Sequence, residues 1–487
     1  MRIVNRAVLI PVLIHAVLAP VAWAATGGRG PEGKRPTVSE LLHKYAETHD
    51  KLRSFIVKAQ ITNRAYGGGG MYPKGTKTVF HKTVELRTDG ERCKLIQRRW
   101  GHVNKHRPNV PKENATYTSK LWDGNFYYQF SKSIQPGKPG RVFITRGNDP
   151  DGLGSLLHGD WAENAYDANA EPLEKTLLEA HNASVRNEMD VVGKAQCYVI
   201  DAVTKRGKYT VWIDPAHGYN IAKLVQILEQ GDFLNREPLK TGTMSFSTEV
   251  RQFKRIDGVW VPWEADQVSR QKAPGWQLTI ELHYKRTEFI LNPDHDALGS
   301  FLPDDIEDQT VVQIGEASYR WLRGAKFVVN AKGQVVKNDP NKPQLPIVKT
   351  LPQPKQLNLG SYPESKKDAV ILLCFCDINQ QLSKRLLREL KERSIELEKK
   401  GVSVVLVGRS TGVDAWVKKN GLNFKAGHID RKFDDWMQRS WGLDKLPWLV
   451  LARGRIVTAE GFGPDELDEK IKEAESTAIL DERIRPE

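Results

Sequence analysis

The stretch Val370-Ile-Leu-Leu-Cys-Phe-Cys-Asp-Ile-Asn-Gln-Gln-Leu-Ser383 constrains the fold of this chain more than any other. It is an apolar strand that breaks into a helix start. Downstream, Leu446-Pro447-Trp448 sets a proline at the head of a second apolar strand. Between and around them the periodicity predicts a helix over 382–400, a strand over 402–407 and a helix over 413–419. It then predicts strands over 449–452 and 456–460 about the turn Arg453-Gly454, and a last helix over 464–476. Leu386, Leu387, Leu390 and Leu397 give the first helix one apolar face for a sheet. Strands alternating with helices, closed by a hairpin and a helix, make an α/β unit.

This order resembles the thioredoxin family. In that family an apolar strand ends in Phe-Trp, and a Cys-x-x-Cys then opens a helix whose N-terminus stabilises the attacking thiolate. Setting Phe375 on the family's Phe puts Cys376 in its Trp place. The four active positions then fall on Gln380, Gln381, Leu382 and Ser383. Neither cysteine is there. Glutamine is no thiol nucleophile, and no neighbouring base activates Ser383. The resemblance also makes Pro447 the candidate cis-proline, flanked by family-like Trp441-Gly442 and Gly461. Cys374 and Cys376, at i and i+2 on a strand, point to one face. They read as packed core thiols, or alternatively as a redox pair displaced from the usual slot.

The first two-thirds of the chain read differently. Thr37-Val-Ser-Glu40 is a capping box opening a helix whose buried face is Leu41, Leu42, Tyr45 and Ala46. From Ser54 to about Thr287 the signal has period two, with hairpin dipeptides at Asp123-Gly124 and Asp257-Gly258 and a tight turn at Asp214-Pro-Ala-His-Gly218. A helix over 171–181 interrupts the strands, and Gly67 to Gly70 reads as a mobile loop. Phe327 to Val336 adds a hairpin-like unit. An amphipathic helix followed by many strands with Leu121-Trp-Asp-Gly-Asn125 and Val211-Trp-Ile-Asp-Pro215 resembles the outer-membrane lipoprotein-sorting (LolA-like) family. The resemblance covers roughly 36–303 and implies a curved antiparallel half-barrel that holds an apolar ligand.

Residues 337–367 carry Pro340, Pro343, Pro346, Pro352, Pro354 and Pro363 and read as an extended linker. The expected organisation is therefore a signal peptide at 1–24, an α+β LolA-like domain at 36–336, that linker, and a thioredoxin-like domain at 368–487. Arg2 and Arg6, a short apolar run interrupted by Pro11 and Pro20, and Ala22-Trp-Ala24 are what signal peptidase reads. Cleavage near Ala24 predicts a soluble periplasmic or other envelope protein. Removing Arg2 and Arg6 lowers the formal charge from +13 to +11. In an exported chain that favours anionic lipid headgroups or envelope polymers over nucleic acid, or simply a solvated basic surface.

Cys93 and Cys197 are two small buried hydrophobes or one disulfide. No nucleophile elbow, zinc spacing or phosphate loop is present, so neither cofactor nor metal is expected. His217 near Asp214 reads as a turn residue, and Asp294, His295 and Asp296 as a polar loop. Trp100, Trp122, Trp212, Trp260 and Trp263 line a lipid-sized groove or fill a core. The resulting expectation is a non-enzymatic carrier of lipid, lipoprotein or apolar peptide with a redox-inactive docking domain. The alternative is a thiol–disulfide oxidoreductase using Cys374 and Cys376.

Overall fold

The computed structural model describes residues 35–69, 72–102, 109–133, 138–146, 173–234, 237–314, 317–330, 334–339, 345–363, 369–409, 411–441, 443 and 446–476. The expected signal segment lies outside them.

The first helix, Val38–Asp50, begins as its cap dictates. The Thr37 hydroxyl accepts from Glu40 N at 3.2 Å, and the Glu40 carboxylate accepts from Thr37 N at 2.6 Å. Leu41, Leu42 and Tyr45 are buried, and they pack with the short helix Leu173–Leu178 against Ile200, Val211 and Leu224 of the sheet. That short helix is the described part of the one expected over 171–181.

Most remaining N-terminal strands belong to one long open sheet. Its spatial order runs from Ala195–Thr204 through Gly207–Asp214, Asn220–Leu228, Thr243–Ile256, Val259–Ala273 and Trp276–Leu291. It continues through Phe55–Gly69, Tyr72–Thr88, Cys93–His102, Thr116–Trp122, Phe126–Ser131 and Arg141–Arg146. Val311–Ile314, Ala317–Trp321 and Ile347–Val348 follow at that end, and the short strands Asn182–Val185 and Asp190–Val192 pair with Ala195–Thr204 at the other. Every pairing in that path is antiparallel except Arg141–Arg146 with Val311–Ile314. The Asp257-Gly258 turn joins Ile256 to Val259, both turn residues having positive φ (47° and 85°), as a two-residue hairpin requires.

The glycine run is not a loop as far as Gly69. Gly67, Gly68 and Gly69 lie in the strand Phe55–Gly69. Gly67 has φ 98°, and a Cβ there would stand 2.1 Å from the carbonyl oxygen of Gln277. Only glycine allows the neighbouring strand to approach that closely.

On the other face of this sheet, Lys94 ties down the loop that follows Asn292. Its ammonium, 1 % exposed, donates to Leu302 O at 2.7 Å and pairs with Asp304 at 2.5 Å and Asp305 at 2.9 Å. Asp305 also accepts from Tyr117 at 2.8 Å and Ser119 at 2.5 Å. A buried charge satisfied on all sides is tolerated where a lone one is not.

The C-terminal sheet has the order Lys425–His428, Val402–Gly408, Val370–Cys376, Trp448–Arg453, Ile456–Phe462. The first three strands are parallel, Trp448–Arg453 runs antiparallel to them, and Ile456–Phe462 runs antiparallel to Trp448–Arg453. The helices Gln381–Glu392, Ser394–Lys399, Val413–Lys419 and Leu467–Glu475 contribute to the core on one face. The other face is covered by the helix Asp434–Trp441 together with Leu351, Leu357 and Leu359. The strand Lys425–His428 and the helix Asp434–Trp441 had no expectation in the sequence.

Leu351, Leu357 and Leu359 belong to the stretch expected as an extended linker, and the described part of that stretch is packed instead. Ile347–Val348 forms a strand, and Pro354 opens the 3-10 turn Pro354–Leu357. The prolines bend the chain without removing its apolar residues from the core.

The stretch also joins the two sheets. Trp321 pairs with Ile347, Arg320 with Val348, and Thr350 bridges to Ile456. Between them Lys349 and Glu460, 6 % and 9 % exposed at the side chain, form an ion pair of 2.5 Å. The Lys349 ammonium lies 4.2 Å from the Trp441 ring centroid. Burial holds its pKa below the ordinary value, with Glu460 working in the opposite sense.

Candidate functional site

The central strand Val370–Cys376 is buried at all seven positions. Alternation then decides the fate of its side chains. Cys374 and Cys376 enter the core beneath the helix Gln381–Glu392, while Phe375 enters the opposite core against Trp441 at 6.2 Å. Both thiols are free and have no exposed surface. A hydrogen bond with Cys376 and complete burial raise the Cys374 pKa well above that of an ordinary thiol. Neither thiol is presented to a substrate.

The turn after the strand is built by side chains at the expected slot and just before it. Asp377 accepts from Asn379 N through its carboxylate (2.9 Å) and from Gln380 N through its carbonyl (3.0 Å). The Ser383 hydroxyl, completely buried, accepts from Asp377 N at 3.1 Å. It is therefore committed to holding the turn. Gln380 is the N-cap residue without a side-chain cap bond, and Gln381 and Leu382 are exposed, Leu382 at 68 %.

The Leu446–Pro447 peptide bond is cis. The strand it opens sets Trp448 opposite Phe375. The Trp448 ring fills the space at Gly461, where a Cβ would meet it at 2.5 Å. A cavity of about 10 Å³ lies beside Phe375, Cys376, Arg409 and Leu446. It has room for a water molecule, not for a substrate. The C-terminal unit thus has a thioredoxin-like fold.

No protein-family model matches this sequence, and no curated protein does. Several solved structures have similar parts. A thioredoxin-like protein from Parabacteroides distasonis shares 15 % identity over 22 % of this chain and 83 % of its own, with a TM-score of 0.20. A thiol-disulfide oxidoreductase from Bacteroides fragilis shares 19 % over 26 % of this chain and 96 % of its own, with a TM-score of 0.21. A DUF1329 family protein from Desulfovibrio piger shares 10 % over 55 % of this chain and 99 % of its own, with a TM-score of 0.26.

The other expected candidates have structural partners. His217 Nδ1 lies 2.5 Å from a carboxylate oxygen of Asp214, whose other oxygen accepts from Ala216 N and His217 N. The imidazole stacks on Phe253 at 4.6 Å and meets the edge of Trp260 at 4.7 Å. His295 is buried against Phe301 at 4.9 Å, and burial lowers its pKa. Cys93 and Cys197 are buried and form no disulfide with each other, and burial pushes the Cys197 thiol up to about 12. Among the described residues no group of three or more metal-ligating side chains converges. No helix among them is long and apolar enough to cross a membrane.

Of the tryptophans expected in a groove or a core, Trp263 is buried in the core with Phe55 and Phe289. Trp212 instead stands on the outer face, donating to Asp190 at 2.9 Å.

Sequence reasoning missed the composition of the sheet face to which Ile61 and Lys82 belong. That face carries Asn63, Thr78, Gln267, Ser269 and Arg286, all buried. Each lies in an ordinary alternating strand, and only strand register brings them together.

Proposed function

We propose that the chain is a non-enzymatic envelope carrier. Its open N-terminal sheet, LolA-like in the resemblance noted above, holds an apolar ligand such as a lipid, a lipoprotein acyl group or an apolar peptide. The thioredoxin-like unit docks the carrier on a partner protein. The observation that carries this reading is the placement of the C-terminal thiols. Cys374 and Cys376 are sealed beneath a helix, the Cys374 pKa is raised well above that of an ordinary thiol, and the slot that would expose a thiolate holds Gln380 and Ser383. Thiol–disulfide exchange needs an accessible thiolate, so the oxidoreductase alternative is disfavoured.

Organic extraction and mass spectrometry of the full-length protein purified from cells test the reading. A stoichiometric co-purified lipid or lipopeptide is expected. An empty protein that also fails to take up lipid from vesicles overturns the carrier. In parallel, insulin reduction is expected to be absent for wild type and for Cys376→Ser alike. Activity in wild type that disappears in Cys376→Ser would establish the oxidoreductase instead.

A further inference from the structure

The helix Gln381–Glu392 lays Leu386, Leu387 and Leu390 on the C-terminal sheet and turns its other face outward. That outward face carries Lys384, Arg385, Arg388 and Lys391, all exposed. With about 3.6 residues per turn, the four fall within one stripe along the helix. The helix Val413–Lys419 buries Val413 and Val417 in the same core, so its exposed Lys418 and Lys419 look out from the same side. Lys391 links the two helices by donating to Asn420 Oδ1 at 3.5 Å.

Carboxylates do not match these cations. The two helices hold six cations against three carboxylates, Glu389, Glu392 and Asp414. Among the described residues no carboxylate pairs with Lys384, Arg385, Arg388, Lys418 or Lys419, and Arg388 Nε meets only the Lys384 carbonyl, at 3.4 Å. The neighbouring charges behave differently. Arg393 pairs with Glu396 at 3.2 Å and Asp468 at 2.8 Å, and Lys400 pairs with the same two at 2.6 and 2.8 Å. Like charges on successive helical turns repel one another, so the basic row works against the helix that carries it.

A second, independent feature brackets the same row. Leu382 ahead of it and Ile395 just beyond it are each 68 % exposed, more than any other large apolar side chain among the described residues. Leu397, two residues on, enters the core, which leaves Ile395 on the outer side. Single exposed apolar residues are ordinary. Two that bracket an unpaired basic row make the pattern of a helix lying at a lipid–water interface. There long basic side chains reach headgroup phosphates while apolar tips enter the acyl margin. A nucleic acid would use the charge and leave Leu382 and Ile395 in water. An anionic lipid surface takes both.

We propose that this two-helix face docks the thioredoxin-like unit on an anionic lipid surface. Lys384, Arg385, Arg388 and Lys391 contact the headgroup phosphates, Lys418 and Lys419 widen the contact, and Leu382 and Ile395 seat in the acyl margin. This adds a lipid surface to the contacts of that unit and stands whether or not the long sheet carries a ligand.

Flotation of the full-length protein with lipid vesicles tests it. Wild type is expected to float with vesicles of equal parts phosphatidylglycerol and phosphatidylcholine, and to stay behind with phosphatidylcholine alone. Raising salt from about 0.1 M to about 1 M, which shortens the Debye length from about 10 Å to about 3 Å, should release it. Each basic residue near an anionic surface is worth about fivefold in partitioning, so Lys384→Gln/Arg385→Gln/Arg388→Gln should weaken binding about a hundredfold. Leu382→Ser and Ile395→Ser should each weaken it about fourfold, the worth of one buried methylene. Lys194→Gln/Lys240→Gln/Lys355→Gln removes the same charge from exposed sites elsewhere and should bind nearly as wild type does. Unchanged urea midpoints report that the variants are folded. Equal flotation with both kinds of vesicle, a 384/385/388 variant that binds as wild type, or a control variant that loses as much overturns the proposal. Salt-sensitive binding to soluble polyglutamate with none to vesicles also overturns it, in favour of an acidic protein partner. Each of these results leaves the carrier reading intact, because co-purified lipid tests that separately.

Discussion

The two sheets of this molecule use apolar residues in opposite ways. In the five-stranded sheet the central strand Val370–Cys376 is buried on both faces, and every side chain, cysteines included, is spent on one of two cores. In the long sheet the strands alternate, and one face keeps buried Asn63, Thr78, Gln267, Ser269 and Arg286 among its apolar residues. The first arrangement maximises packing and leaves no room for chemistry at the thiols. The second retains costly polar groups, and such groups persist where something other than stability selects them. Function is therefore to be sought in the sheet that packs less perfectly.

The largest test of this contrast lies at the junction. Lys349→Met strips Glu460 of its buried partner, and removal of one member of such a pair costs about 3–5 kcal/mol. Urea unfolding is expected to show that loss, with the double replacement Lys349→Met/Glu460→Leu recovering much of it. Within the five-stranded sheet, Leu372→Ala at a fully buried position is expected to cost about 3 kcal/mol by the same measurement. The exposed Arg64→Ala on the long sheet should stay within about 0.5 kcal/mol of wild type.

A smaller effect separates the faces of the long sheet by pH. Burial pushes the Asp305 carboxyl up, but hydrogen bonds from Ser119 and Lys94 and the Lys94 charge outweigh it and hold the pKa below the usual carboxylate range. Its contribution is thus complete above the unfolded carboxylate value near pH 4 and lost as pH falls through the folded one. Asp305→Asn is expected to destabilise the protein by about 1–3 kcal/mol at neutral pH and to flatten the acid limb of its pH–stability curve.

Asn63→Leu, which removes an unsatisfied buried oxygen, is expected to be neutral or stabilising by about 1 kcal/mol in urea unfolding. A clear loss of stability in that variant would show that the Asn63 oxygen finds a partner in solution. The smallest expected effect is at the cysteines. N-ethylmaleimide should label Cys374 and Cys376 only when urea unfolds the C-terminal unit, as read by peptide mass mapping. Labelling in the native state would reopen the redox reading.

Much of the C-terminal unit was legible in the chain itself. The apolar run 370–376, the leucine spacing from Leu386 to Leu397 and the hairpin about Gly454 are local patterns, and local patterns set local structure. The strand Lys425–His428 and the helix Asp434–Trp441 escaped because their apolar residues are few and their stability comes from packing on neighbours. The linker was misread for a related reason. Proline counts report which backbone donors are missing, not whether the leucines between them find a core. In the N-terminal unit the capping box of Thr37 and the Asp257-Gly258 turn were visible because each is a contact within a few residues.

By itself, then, the sequence determined the strand and helix order around Val370–Ser383, the absence of cysteine from positions 380 to 383, and the period-two character of the region from Ser54 to Thr287. Tertiary structure alone decided that Cys374 and Cys376 lie sealed beneath a helix, that residues 345–362 join the two sheets, and that Lys82 faces Arg99 beside Asn63 and Thr78. The physical reason is distance along the chain. Alternation tells which residues share a face of one strand, but only the register between strands remote in sequence tells which faces meet.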